Sequence, residues 1–284
     1  MSSNDSGETT STPTTASSST TTTTRTTTTA RTVSRLIELL KERGQPKKKL
    51  WWEKYLKNEI EFYGVPMEDI RRAIAEWKRN EEEEEEEGDA KSELTEDLLL
   101  LSYAWELMRH PVQESKMAGI LILQNDCMDA MVPHRDLPVI ASLFQEGYLH
   151  EWHSTDWLCV RVLGKLVELH GSVVVDILKK DWIHADNTLW QRRAALVTFV
   201  YIAKDHRDTI LELATILSDS EERFAQTAIG WSLRSLSETE GDAVVEFLEQ
   251  HRDVLSREAM RMASAKLTDS QRRQLGMTGK RRRR

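Results

Sequence analysis

Cysteine is nearly missing from this chain of 284 residues: Cys127 and Cys159 stand alone. Two are too few for a disulfide framework, and they are not at zinc-site spacing. Long apolar runs are missing as well. The longest, 117–123, contains Gly119 and falls far short of the roughly 18 residues a membrane helix needs. No apolar stretch near the start reads as a secretory signal, and the Ser/Thr-rich, acid-poor opening has only Arg25 and Arg31 to suggest a transit peptide. These absences predict an intracellular protein with no membrane partner, nuclear if the source is eukaryotic and cytoplasmic otherwise. There is no P-loop, no dinucleotide-binding glycine pattern and no nucleophile elbow. An excess of positive charge is also lacking, since the net charge is −8. A nucleic-acid-binding body would therefore have to gather its Arg and Lys on one face.

What is present falls into segments of different kinds. Residues 1–31 are mostly Ser and Thr, which bury too little apolar surface to offset ordering entropy, and they predict a disordered tail. The seven glutamates of 81–87 repel one another and predict a solvated loop insertion over 80–92. A basic tail, 277–284, ends in KRRRR; it suits an import signal, a phosphate anchor or a plain solvated terminus. Between these lies one large domain over 32–276.

Periodicity in that domain is helical throughout, with no alternating run that makes a strand. The pattern predicts helices over 32–43, 50–63, 67–79, 94–109, 112–124, 137–148, 153–170, 172–180, 187–204, 207–217, 220–237, 242–250 and 254–265. In 153–170, Trp157, Val160, Leu163 and Val167 form one apolar row; Leu158, Val162, Leu166 and Leu169 form another. Arg161, Lys165 and Glu168 mark a narrow solvent stripe. In 187–204 the row is Trp190, Ala194, Val197 and Tyr201, after an Asp186/Asn187 cap signal. In 220–237, Asp219 and Glu222 have capping-box spacing. Cap signals near Ser154, Asp186 and Asp219 recur about every 32–33 residues, a period suited to helical repeats. The expected fold is all-α: a superhelical array of antiparallel helix pairs, a HEAT-like α-solenoid whose inner helices line a concave face.

Trp152 and Asp156 share a face if a helix already includes residue 152. If Ser154 caps the helix instead, Asp156 sits in its first turn, where an acid stabilises the helix dipole and needs no other role. Tryptophans mostly pack, and arginines are mostly solvated, so Trp152, Trp231, Arg193 and Arg234 each have a bland explanation. Together they offer two flat π-faces, a carboxylate and guanidinium groups, which suit a cationic centre on an anionic backbone. His150, His153 and Asp156 raise a metal reading, but the histidines are three apart, not four, and no further ligand cluster is evident. No metal and no cofactor is expected.

Read in order, WEKYLKNEIEFYGVPMEDIRR (52–72), EWHSTDWLCVRVLG (151–164), KDWIHADNTLWQRRAAL (180–196), FAQTAIGWSLRS (224–235) and LSREAM (255–260) resemble the DNA alkylation repair family. These are the HEAT-like, AlkD-type alkylpurine DNA glycosylases, and the likeness spans about 32–270. The resemblance implies a concave DNA-binding face. It places the two lesion-flanking tryptophans at Trp152 and Trp231 and the essential carboxylate at Asp156. A tyrosine near the lesion falls on Tyr55, and DNA-contacting arginines fall on Arg193, beside Arg192, and on Arg234. It further implies a glycosylase acting on duplex DNA that contains cationic N3- or N7-alkylated purines, without flipping the base. No lysine in the matched catalytic segments is placed for Schiff-base chemistry, which favours a monofunctional hydrolase over a lyase, and a monomer is expected. The Thr/Ser tail, the glutamate run, the basic end and His153 beside the carboxylate depart from the family. A non-catalytic scaffold binding DNA or protein is the alternative, and the acidic body favours it.

Overall fold

The computed structural model describes residues 18–87 and 95–277. Among them the chain is an α-solenoid without strands; Glu61 and Val112 make one isolated parallel bridge. The helices are α1 (Ser18–Glu42), α2 (Pro46–Tyr55), α3 (Met67–Glu87), α4 (Glu96–Arg109), α5 (Gln113–Asp126), α6 (Pro133–Gln145), α7 (Trp152–Leu158) and α8 (Gly164–His170). They continue as α9 (Ser172–Ile177), α10 (Leu189–Val197), α11 (Arg207–Leu217), α12 (Arg223–Leu236), α13 (Gly241–Gln250), α14 (Arg257–Ala263) and α15 (Asp269–Gln274). One row runs through the molecule by successive packing: α3 on α5, α5 on α7, α7 on α10, α10 on α12, α12 on α14. The intervening helices cover its back, with α4 against α6 and α6 against α9. Buried aliphatic side chains such as Leu121, Leu163, Leu196 and Leu233 belong to one continuous core. Burial of such side chains is the main force stacking each pair on the next.

The two expected rows of 153–170 hold, apart from exposed Leu169, but the helix is not uniform. A π-turn, Cys159–Leu163, joins α7 to α8, with the Gly164 N–H donating to the Cys159 carbonyl. A second π-turn, Leu178–Trp182, follows α9. Such turns are frequent beside functional sites because they re-aim side chains without ending a helix.

Several helix ends differ from the periodic reading. The helix expected over 50–63 begins at Pro46 and stops at Tyr55, because Lys57 and Asn58 adopt left-handed φ values of 57° and 60°. The glutamates of 81–87 are not a loop. They extend α3 to Glu87, since Glu is a good helix former and Arg35 holds Glu81 at 3.1 Å. Residues 88–92 of the expected loop lie outside the described residues. Helix α1 reaches back to Ser18 through the Thr-rich stretch, because extending an existing helix needs no new nucleus; residues 1–17 and 278–284 also lie outside the described residues. Helix α10 ends at Val197, where Thr198 bonds back to the Ala194 carbonyl at 2.8 Å, and Tyr201 is left exposed.

The caps fall elsewhere too. Glu151, not Ser154, caps α7, and Thr188 caps α10. The Asp219/Glu222 box does not form, because Asp219 accepts from Arg192 at 2.7 Å. The short α15 was outside every expected helix; Thr268 and Gln271 start it with a capping box.

Candidate active site

Helix α7 includes Trp152, so Trp152 and Asp156 stand one turn apart on the same face. What starts the helix there is Glu151, which is buried. Its carboxylate accepts from the Ser154 N–H at 2.6 Å and from the His153 N–H and the Ser154 hydroxyl. Gln113 Nε2, reaching over from α5, donates to it at 3.0 Å. Buried Lys116 lies near enough to compensate its charge and donates to the Tyr148 carbonyl at 2.6 Å. Burial lowers the Lys116 pKa, and Glu151 opposes that shift. The first turn of α7 is thus held by a buried polar cluster, which orients Trp152 before any ligand arrives.

Asp156 meets Arg193 of α10 in a fork-to-fork pair: Nε to Oδ1 at 2.8 Å and Nη2 to Oδ2 at 2.8 Å. Arg193 Nη1 also donates to the Phe224 carbonyl at 2.7 Å and to Thr227 Oγ1 at 3.3 Å, both on α12. Only 5% of the Arg193 side chain and 16% of the Asp156 side chain is exposed. Four of the five guanidinium N–H groups are therefore engaged within the protein. Arg193, expected among the DNA-contacting arginines, here links α10 to Asp156 on α7 and to Phe224 and Thr227 on α12. Burial pushes the Asp156 carboxyl above the ordinary aspartate range, against the lowering pull of Arg193.

A cavity of about 680 Å³ opens in front of this pair. Tyr55, Trp152, Arg193, Trp231 and Arg234 line it, so five of the six expected residues share one wall; Asp156 stands behind Arg193. Trp152 meets Tyr55 edge-to-face at 6.4 Å. Trp152 and Trp231 are partly exposed, and Arg234 is exposed. The order of residues alone did not single out Trp190 and Phe224. Their rings lie 4.9 Å apart on the same wall. Arg223, also on that wall, is engaged with Glu258 in a bidentate pair at 2.8 Å. Trp190 had a signal, lying in the quoted LWQRR segment, but its helical spacing gave it to the packing row.

The histidine series does not converge. His150 Nδ1 is 2.8 Å from the Gly147 carbonyl and His153 Nδ1 is 3.0 Å from Gln113 Nε2. Among the described residues no group of three His, Cys, Asp or Glu side chains is placed to hold a metal. No described helix is long and apolar enough to cross a membrane.

The family profile for the DNA alkylation repair enzyme matches residues 36–267. A solved structure, described as a predicted DNA alkylation repair enzyme from Enterococcus faecalis, superposes with a TM-score of 0.64 at 20% identity. The match covers 78% of this chain and 95% of that one, and at this identity it speaks for the fold. A search of curated proteins finds no match.

Proposed function

Because the chain belongs to the DNA alkylation repair enzyme family and so acts in the repair of alkylated DNA, we propose that it is a monofunctional DNA glycosylase releasing cationic N3- and N7-alkylated purines from the duplex. The observation that carries this reading is the Asp156–Arg193 fork beside a cavity walled by Trp152 and Trp231.

An alkylated purine already carries positive charge, so its glycosidic bond breaks without a proton from the protein. The bonding electrons return to the base, which leaves neutral, and positive charge moves to the sugar as an oxocarbenium-like centre. Asp156 stabilises that centre and orients the water whose oxygen bonds to C1′; the water proton passes to solvent or to the carboxylate. Trp152 and Trp231 turn their faces to the same charge, each contact contributing about 0.5–2 kcal/mol according to desolvation. Arg193 keeps the carboxylate in one orientation. Arg234 is an exposed cation on this wall, placed to meet a phosphate. The shared wall of sugar-facing groups suits excision with the base still in the duplex, and no second carboxylate is required.

Base release from methylated duplex is the direct test. Asp156→Asn is expected to lower single-turnover release by about 10²–10³, the usual effect of removing one electrostatic group, while duplex binding persists. Full release by that variant refutes the role of Asp156. Lys57 lines the cavity and offers the exposed amine a lyase step would need. The monofunctional reading expects no borohydride-trapped adduct between it and the product strand.

A scaffold that binds without cleaving is the second reading. Its support is that both Asp156 oxygens already accept from Arg193. It expects no abasic product from the wild-type protein at any pH.

A further inference from the structure

We propose that α2 and the cavity behind it form a receiving site for one unpaired DNA nucleotide beside the damaged one. This rests on DNA being the substrate, and it does not depend on the glycosylase step.

Helix α2 has ten residues and none of them is buried. It nevertheless carries Leu50, Trp51 and Tyr55, which are 68%, 58% and 56% exposed. Aromatic rings this open are costly to leave in water without a partner. Trp51 and Tyr55 are stacked, with ring centroids 5.3 Å apart and an interplanar angle of 4°. Trp52 stands edge-on to Trp51 at 4.7 Å and stacks on Phe62 at 5.9 Å. Tyr55 belongs to the wall of the candidate active site. Trp51, Trp52 and Phe62 belong to a second cavity of about 570 Å³, together with Lys47, Lys48 and His153. That volume suits a nucleotide-sized ligand. One short aromatic helix thus borders both cavities.

Charge selects the occupant. Lys47, Lys48, Lys54 and Lys57 are exposed, and among the described residues none of them is in an ion pair. The acid between them, Glu53, is turned to Lys49 at 3.6 Å and to the Phe62 N–H at 3.5 Å. In a chain of net charge −8 this is a local positive field around exposed rings. Rings interleaved with lysine are what unstacked bases on a phosphate backbone require. A base displaced from the duplex would lie on Trp51, with its phosphate toward Lys47 and Lys48. The surface is continuous with the active-site wall through Tyr55, so the occupant comes from the same DNA.

The test uses full-length protein and unmethylated duplexes, one fully paired and one with a single bulged 2-aminopurine. Fluorescence anisotropy should show the bulged duplex bound about tenfold more tightly, within what one base–aromatic stack supplies, with 2-aminopurine emission quenched. Trp51→Ala should abolish both the preference and the quenching, while Trp51→Phe keeps most of each. Lys47→Glu with Lys48→Glu should weaken bulge binding without touching an aromatic ring. Equal affinity for the two duplexes overturns the proposal, as does a preference that survives Trp51→Ala in protein folded by circular dichroism. Anionic phosphatidylcholine–phosphatidylserine vesicles form a separate arm: Trp51-dependent vesicle binding without a bulge preference assigns the face to lipid instead. Release of methylated base by the same preparation reports on the glycosylase reading alone, so the two can fail separately.

Discussion

Asp156 is subject to two opposing influences, and their balance decides what its chemistry looks like in solution. Burial raises its pKa and the Arg193 fork lowers it, with burial the larger effect. The reactive form is the ionised one, so release should fall as pH drops through a pKa lying above the ordinary aspartate value of about 3.9. A single-turnover pH profile on methylated duplex should show that acid limb, and Asp156→Asn should flatten what activity remains. An acid limb at or below the ordinary value would mean that Arg193 dominates. Removing the guanidinium leaves a buried carboxylate without its partner. Arg193→Ala is therefore expected to cost about 3 kcal/mol in urea unfolding, and Arg193→Lys to recover only part of it, because an ammonium cannot reproduce the fork. That Trp152, Trp231 and Asp156 gather at one place was legible from residue order. The Asp156–Arg193 pairing was not, because residues 37 apart face each other only once α7 packs on α10.

At the level of elements, the cavity depends on a segment with little helix of its own. After α2 the chain turns through Lys57 and Asn58, then runs back to α3 past Gly64, whose φ is +85°. Glu114 of α5 fastens that return, accepting from the Tyr63, Gly64 and Val65 N–H groups at 2.9, 2.7 and 3.0 Å. A Cβ on Gly64 would come within 2.4 Å of the carbonyl of Gln45, the residue before α2, and 2.6 Å of the Lys49 nitrogen in α2, both backbone atoms. Gly64→Ala combines a strained φ with an overlap that no side chain can relieve, so α2 must shift. We expect a loss of about 2 kcal/mol or more in urea unfolding, with DNA binding impaired beyond it because Tyr55 moves with α2. Unchanged stability would show that the return loop yields freely. The helical period located most helices but not their ends. Left-handed residues at 57 and 58, a carboxylate cap at Glu151 and a π-turn at Cys159–Leu163 leave no mark on a 3.6-residue pattern. The glutamate run is a related case: its self-repulsion is visible in composition, whereas its helix propensity takes effect as a continuation of α3, with Arg35 partnering Glu81.

At the scale of the molecule, an acidic protein must bind an acidic polymer. Arg193 and Arg223 face the main cavity but are engaged by Asp156 and Glu258, which leaves Lys57 and Arg234 there. Lys47, Lys48 and Lys54 on α2 extend the positive surface outward. About five such cations, each displacing counterions from a phosphate, give an expected slope of about −4 to −5 for log Kobs against log salt concentration. The tail 280–284 adds five further cations in sequence. If it anchors phosphates, the full chain should show a steeper slope, and a chain ending at 279 should return to the value set by the body. Because the anchor acts on binding and not on chemistry, release at saturating duplex should be the same for both chains. Equal slopes would remove the tail from DNA binding. A slope near zero in the truncated chain would show instead that the body contributes little electrostatic attraction and that affinity rests on stacking.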